Sequence, residues 1–236
     1  MIRALVIIPA LNEAATLPAV LDQLRREVPW ADVVVVDDGS TDATVTVAKA
    51  GGAIVLRLPY NLGIGGALRT GFRYAVDHGY ERAVQVDADG QHDPGAVEKL
   101  FAALDDADLV IGSRFGGAGD YDVGRTRRGA MRLLQFTLRL LSGRTFSDTS
   151  SGFRAFSRPL LEYFSKSYPS EYMESVEALI GAYYAGFRIA EVPTEMHQRA
   201  GGAPSNLRIK LAYHYVRVIV TILIHAGRRP QNGSPA

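Results

Sequence analysis

Five short apolar runs in the first half of the chain restrict its fold more than any other feature. Residues 4–8, 33–36 (four valines), 53–56, 83–86 and 109–111 are apolar almost throughout. A strand with one wet face alternates polar and apolar residues, so runs without alternation read as strands buried on both faces. Segments with helical signals lie between them. Leu17, Val20, Leu21 and Leu24 share one face of a helix over 16–28, and Thr41-Asp42 caps a helix over 43–50. A third helix, 65–78, stops at Gly79, and a fourth runs from Pro94 to Leu104. Strands separated by single helices predict an α/β fold, a mostly parallel sheet flanked by helices. Ligands of such sheets bind beyond the carboxyl ends of the strands. Asn12-Glu13, Asp37-Asp38 and Asp87-Ala88-Asp89 stand at those ends.

The second half is less regular. Residues 112–126 form a Gly-rich loop, and 127–141 read as a basic amphipathic helix. A helix over 172–185 stops at Gly186, a short strand covers 189–192, and a loop covers 194–205. Residues 207–226 read as a long apolar helix and 228–236 as a disordered tail. The expected organisation is one domain over 1–205, a C-terminal helix over 206–227 and a tail over 228–236. The chain of 236 residues has no cysteine, which excludes disulfides, thiolate metal sites and a cysteine nucleophile. The first apolar run is too short for a signal peptide, and no stretch has the roughly 18 uncharged apolar residues that span a bilayer. The net charge of +1 conceals an asymmetry. Residues 1–111 carry 9 Lys and Arg against 16 Asp and Glu; residues 112–236 carry 17 against 9. An acidic half suits a cation, and a basic half suits phosphate or an anionic membrane surface. No nucleic-acid-binding motif accompanies the basic half.

The Asp87 and Asp89 side chains, two residues apart on an extended segment, are expected to face one site. With the Gln91 amide they make a hard-oxygen set suited to Mg²⁺ or Mn²⁺ on a diphosphate, although capped, solvated carboxylates at a strand end give the same pattern. Asp37 and Asp38 follow a buried strand, where a carboxylate takes ribose hydroxyls or a base edge; turn and cap chemistry explains Thr41 or Asp42. The glycines of segment 61–71 fail the dinucleotide-binding pattern, because position 68 is Leu. They read as permitting a tight turn and close helix packing, with Gly65 or Gly66 amides available to phosphate.

Seven motifs occur in one order. They are Pro9-Ala10-Leu11-Asn12-Glu13, Val35-Val36-Asp37-Asp38-Gly39-Ser40-Thr41-Asp42, Asn61-x-Gly63-x-Gly65-Gly66-Ala67, Asp87-Ala88-Asp89-Gly90-Gln91-His92-Asp93-Pro94, Gly112-Ser113-Arg114, Ser151-Gly152-Phe153-Arg154 and Ala190-Glu191-Val192-Pro193. Together they resemble the family 2 glycosyltransferases of the Rossmann-like GT-A fold, and within these the dolichyl- and polyprenyl-phosphate mannosyl- and glucosyltransferases. The resemblance implies a metal-dependent, inverting transfer of a hexose from a nucleotide-diphosphate sugar, such as GDP-mannose or UDP-glucose, to a polyprenyl or dolichyl monophosphate. It assigns Pro9, Leu11, Asn12, Glu13, Asp37, Asp38, Gly65 and Asp87 to the donor nucleotide. Asp87, Asp89 and Gln91 would hold Mg²⁺ or Mn²⁺. Arg114, Arg125, Arg128 and Ser151 would meet the acceptor phosphate, and Arg199 would lie on a loop closing over the donor. Asp87, Asp89, Arg114 and Arg199 form the implied catalytic set. A cytoplasmic enzyme at the inner membrane face follows, with a membrane surface and a small integral membrane protein as partners.

An acceptor phosphomonoester, with a second pKa of about 6, is largely dianionic near neutrality and needs no strong base. A sugar hydroxyl does need one. Asp148 and Glu177 are the candidates for that alternative, each also readable as a turn Asp and a helix-face Glu. A nucleotidyltransferase lacks its expected N-terminal Gly-rich basic motif here. A non-catalytic nucleotide-sugar-binding subunit is the remaining alternative.

Overall fold

The computed structural model describes residues 3–114, 146–169 and 174–195. Seven strands build one sheet: β1 (Ala4–Ala10), β2 (Asp32–Asp37), β3 (Ile54–Arg57), β4 (Arg82–Gln85), β5 (Leu109–Ser113), β6 (Arg154–Ser157) and β7 (Ile189–Pro193). Their order is β3-β2-β1-β4-β6-β5-β7. Every pairing is parallel except those of β6, which runs antiparallel to both β4 and β5. The helices are α1 (Leu17–Glu27), α2 (Thr44–Ala50), α3 (Ile64–Asp77), α4 (Val97–Ala103), α5 (Arg158–Ser167) and α6 (Glu174–Tyr184).

The predicted two-sided burial is present in the inner strands, most fully in β1, whereas β3 at the sheet edge is only half-buried. Leu5 and Ile7 enter a core with Leu68 and Phe72 of α3, Leu161 of α5 and Leu179 of α6. Ala4, Val6 and Ile8 enter a second core with Leu21 and Leu24 of α1, Ala48 of α2 and Leu100 of α4. Alternate side chains of one strand thus serve opposite cores, which is why the run carries no polar residue.

Three expectations need correction. Strand β6 and helix α5 were not foreseen, because β6 offers only Ala155 and Phe156 as consecutive apolar residues and starts with a charged Arg154. The helix expected from Pro94 opens as a 3₁₀ turn, Pro94–Ala96, and becomes α-helical only at Val97. Thr41 does not cap α2; Asp42 Oδ1 accepts the Thr44 N–H at 2.9 Å instead. The expected helices over 127–141 and 207–226, and the tail over 228–236, lie outside the described residues. Among the described residues no helix is long and apolar enough to cross a membrane.

The glycines behave as a turn and a packing surface. Gly63 precedes α3 with φ 82°, a left-handed conformation that glycine adopts without strain. At Gly71 an added Cβ would stand 2.5 Å from Ile7 Cγ2, so α3 lies directly on β1 there. Gly71→Val is therefore expected to destabilise the fold by about 1–3 kcal/mol through overpacking, measurable by urea unfolding. Unchanged stability would contradict this close approach.

Candidate functional site

From β1 the chain moves outward to β2 and β3, then returns to β4 on the other side of β1. The crevice beyond the ends of β1 and β4 is thus the topological switch point where open α/β sheets bind ligands. Residues 9–13 follow β1 there, and residues 87–92 follow β4.

The β1 and β2 ends are laced together. Asn12 takes φ 56°, a region that Asn tolerates better than most residues. Its backbone N–H donates to Ser40 Oγ at 2.9 Å, and its Oδ1 accepts the Thr41 N–H at 2.9 Å. The Glu13 N–H donates to Thr44 Oγ1 at 2.9 Å, and Glu13 Oε2 accepts the Thr16 hydroxyl at 2.6 Å. Asp37 and Asp38, expected as a pair on the nucleoside, have separate environments. Asp38 accepts the N–H groups of Leu62 and Gly63 at 2.7 and 2.9 Å, so both its oxygens hold the turn into α3. Asp37 is buried; its Oδ1 accepts the Ser40 N–H, while its Oδ2 has no hydrogen bond and sits 3.6 Å from Arg57 Nε. Pro9 is half-buried, Leu11 is exposed on the rim, and Gly65 is buried in the first turn of α3.

At the end of β4 the extended geometry expected for Asp87 and Asp89 does not hold. The strand ends at Gln85 and the chain turns at Ala88–Asp89, so alternation no longer sets the side-chain directions. The Asp87 side chain is 33% exposed, whereas Asp89 is buried with Oδ1 accepting the Gln91 N–H at 3.0 Å. Gln85 Nε2 donates to Asp87 Oδ1 at 3.1 Å. Gly152 closes on the same carboxylate, since a Cβ there would meet Asp87 Oδ2 at 2.9 Å. Among the described residues no three His, Cys, Asp or Glu side chains form a ready cage for a metal. Two carboxylates carried by one turn nevertheless fit Mg²⁺ or Mn²⁺, which bind through one or two carboxylates completed by substrate phosphates and water.

The wall formed by β5, β7 and residues 146–152 is built on ion pairs. Arg114 donates from Nε and Nη2 to the two oxygens of Asp148, each at 2.6 Å, and from Nη2 to Ser150 Oγ at 2.7 Å. Burial would raise the Asp148 carboxyl, but the hydrogen bonds and charge of Arg114 overturn this and hold it below the ordinary carboxylate range. Glu191 of β7 accepts the N–H groups of Ser147 and Asp148, both at 3.0 Å to Oε1, which fixes the turn carrying Asp148. Ser151 is buried, and its Oγ accepts the Phe153 N–H at 3.2 Å. Arg114 and Ser151 thus lie on one wall, with this edge of the Arg114 guanidinium engaged. Arg125, Arg128 and Arg199 lie outside the described residues.

Two buried charges were not singled out from the sequence. Arg154 is 1% exposed and donates to the carbonyls of Ser151, Thr149 and Ser175. Glu174 begins α6; burial pushes its carboxyl up, the Ser175 hydroxyl and Arg154 offset part of this, and Asp87 adds to the rise. Burial, then Glu174, also raises the half-buried Glu177. Gln85, a polar residue inside an apolar run, was the available signal for a site under β4.

The chain matches the family model described as Glycosyl transferase family 2 over residues 5–164. It is 35% identical to the undecaprenyl-phosphate mannosyltransferase of Micrococcus luteus, across 85% of this chain and 86% of that protein. It is 33% identical to the polyprenol monophosphomannose synthase of Mycolicibacterium smegmatis, across 87% and 83%. Among solved structures it resembles the glucosyl-3-phosphoglycerate synthase of Mycobacterium tuberculosis in complex with Mn²⁺, UDP and phosphoglyceric acid. That likeness has a TM-score of 0.73 and 28% identity, over 99% of this chain and 81% of the other.

The Asp148–Arg114 pair yields a pH-dependent expectation. Because folding lowers the Asp148 pKa, the pair's contribution is complete above the unfolded value of about 3.9 and is lost as pH falls through the lower folded value. Asp148→Asn leaves a buried guanidinium without its counter-ion and is expected to cost about 3–5 kcal/mol at pH 7. In urea unfolding the gap between wild type and variant should narrow from pH 7 to pH 3. A gap independent of pH would show that the carboxylate charge is not what stabilises this wall.

Proposed function

Because the chain belongs to glycosyltransferase family 2, a hexosyltransferase family with the GT-A fold that this sheet displays, we propose that it moves a hexose from a nucleotide-diphosphate sugar to the phosphate of a polyprenyl monophosphate. The observation that carries this reading is the state of Asp148. A carboxylate locked by two 2.6 Å bonds to Arg114 and held below its usual pKa is a poor base for a hydroxyl acceptor. A phosphate acceptor needs no such base. The names of the relatives from M. luteus and M. smegmatis support the same acceptor class.

In this reading an acceptor phosphate oxygen attacks the anomeric carbon from the face opposite the leaving group. The bond from that carbon to the donor diphosphate breaks, the diphosphate oxygen keeps the electron pair, and configuration inverts. Asp87, Asp89 and Gln91 would hold Mg²⁺ or Mn²⁺, which would neutralise the departing diphosphate. The laced loops after β1 and β2, with Pro9, Leu11, Asn12, Glu13 and Asp37, form the nucleoside side. Asp38 acts there indirectly by fixing the turn into α3, whose first turn contains Gly65. Ser151 and Arg114 line the acceptor side, joined by Arg125 and Arg128 in this proposal, and Arg199 belongs to the closing loop. The enzyme works at a membrane surface, where its acceptor resides.

A second reading has one observation in its favour. Glu177 is half-buried with a raised carboxyl, a suitable state for a general base, and the solved neighbour carries phosphoglyceric acid. A small phosphorylated hydroxy acid would then be the acceptor.

The test supplies purified protein, Mn²⁺ and radiolabelled nucleotide sugars with either a polyprenyl monophosphate or 3-phosphoglycerate. Label should enter the organic phase only with the lipid. Label passing to phosphoglycerate instead would overturn the lipid reading. Asp89→Ala should lower turnover by about 100-fold or more, and wild-type turnover in that folded variant would refute its role. The rate should rise through the acceptor's second ionisation, at a pH of about 6, and then stay level.

A further inference from the structure

We propose that His92 is a positioning residue for Asp87, an inference that rests on the cation-binding role proposed above for Asp87 and Asp89. The His92 ring is 2% exposed and lies against Phe153, with centroids 4.8 Å apart and planes inclined by 16°. Packing alone would account for that stack. The two ring nitrogens go further, because one accepts a hydrogen bond from Asp87 and the other stands within ion-pair distance of its carboxylate. Nδ1 accepts the Asp87 backbone N–H at 3.0 Å. A nitrogen that accepts carries a lone pair, so the neutral ring bears its proton on Nε2. Nε2 in turn faces Asp87 Oδ2 at 3.5 Å. Gly90, with φ 76°, makes the turn that brings the ring back beneath a residue five positions earlier.

Two other groups complete the cradle. Gln85 Nε2 donates to Oδ1 at 3.1 Å, and the Gly152 backbone lies so close that a Cβ would meet Oδ2 at 2.9 Å and Oδ1 at 3.2 Å. The carboxylate is therefore held on three sides and one-third exposed on the remaining one. Each carboxylate oxygen can accept more than one partner, so these contacts still permit coordination of a cation. Groups of this kind orient a metal ligand from behind, and their loss weakens metal binding about 10–100-fold. His92 cannot easily ligate the cation itself, since one nitrogen is spent on an amide and the other points at the carboxylate.

Two substitutions separate the ring's functions. In His92→Asn the side-chain oxygen replaces Nδ1 as acceptor for the Asp87 N–H, but the carboxylate is out of reach. In His92→Gln the longer amide donates toward the carboxylate in place of Nε2. Electron paramagnetic resonance of free Mn²⁺, with UDP and separately with GDP, gives the cation affinity without turnover, and thermal melts report folding. His92→Asn should weaken Mn²⁺ binding about 10-fold or more, with nucleotide binding in the absence of metal unchanged. His92→Gln should return Mn²⁺ affinity to within about threefold of wild type. Wild-type Mn²⁺ affinity in His92→Asn, with loss in Asp89→Ala, overturns the proposal for His92 alone. Equal loss in both His92 variants overturns it too, because the carboxylate contact would then not be the cause. Undiminished Mn²⁺ binding in Asp89→Ala would overturn the metal assignment itself.

Discussion

The fully buried guanidinium of Arg154 is the interaction on which the geometry of the binding edge depends. It opens β6, the antiparallel strand between β4 and β5, and in register it stands beside Gln85 on one side and Ile111 on the other. A charge taken from water costs several kcal/mol unless its donors are satisfied. Arg154 meets that demand with three backbone carbonyls, those of Thr149, Ser151 and Ser175. Burial lowers the guanidinium's proton affinity, and the nearby Tyr168, Glu174 and Asp148 offset part of this. Those three carbonyls belong to the loop before β6 and to the first turn of α6, so one side chain fastens the wall around Asp148 to the sheet. The same fastening sets Gly152 against Asp87. The loop after β4 and the wall of residues 146–152 are therefore joined through β6, and neither is shaped independently.

The two sides are built by different means. After β1 and β2 the loops are short and held by backbone N–H groups that donate to neutral side-chain oxygens of Asn12, Ser40 and Thr44 and to the carboxylates of Asp38 and Asp42. After β5 and β7 the wall depends on charge: Arg114 on Asp148, and Glu191 on the backbone of Ser147 and Asp148. The reversal of net charge between the chain's halves appears here as a change in fastening. In the second half the cations Arg114 and Arg154 are built into the fold.

What the sequence made legible follows from how local each signal is. Continuous apolar runs carry their own evidence of a buried strand, so β1 to β5 could be read directly, and β7 as a short strand. The β6 strand could not, because its stability comes from pairing with β4 and β5 and from a charge satisfied only after folding. At the site, residue types were readable and their employment was not. Asp38 matches a nucleoside-binding motif, yet both its oxygens hold the turn before α3. Asp87 and Asp89 were readable as a pair, but the turn at Ala88–Asp89 gives them different exposure. Arg114 looked like a phosphate ligand, and its Asp148 partner lies 34 residues away, beyond any spacing rule. Conversely, Glu191 was visible in its motif without a reason; its reason is the turn that presents Asp148.

Acidic side chains crowd this edge, and most are already engaged within it. Asp38, Asp42, Asp89, Asp148, Glu13 and Glu191 all accept hydrogen bonds from backbone or side-chain donors. At Asp148 the bonds from Arg114 hold the carboxyl below the ordinary range and make it a poor acceptor of a substrate proton. A site of this kind has ample means to order loops and few groups suited to deprotonate an incoming hydroxyl. In the proposed reaction the chemistry falls to charges that the reactants bring: a diphosphate that leaves and an acceptor that arrives already ionised. Asp87, one-third exposed and held from three sides, is the carboxylate that the proposal turns toward such reactants. In the proposed reaction the rigidity around it would place reacting charges accurately without a mobile base, which is what phosphate attack on an anomeric carbon demands.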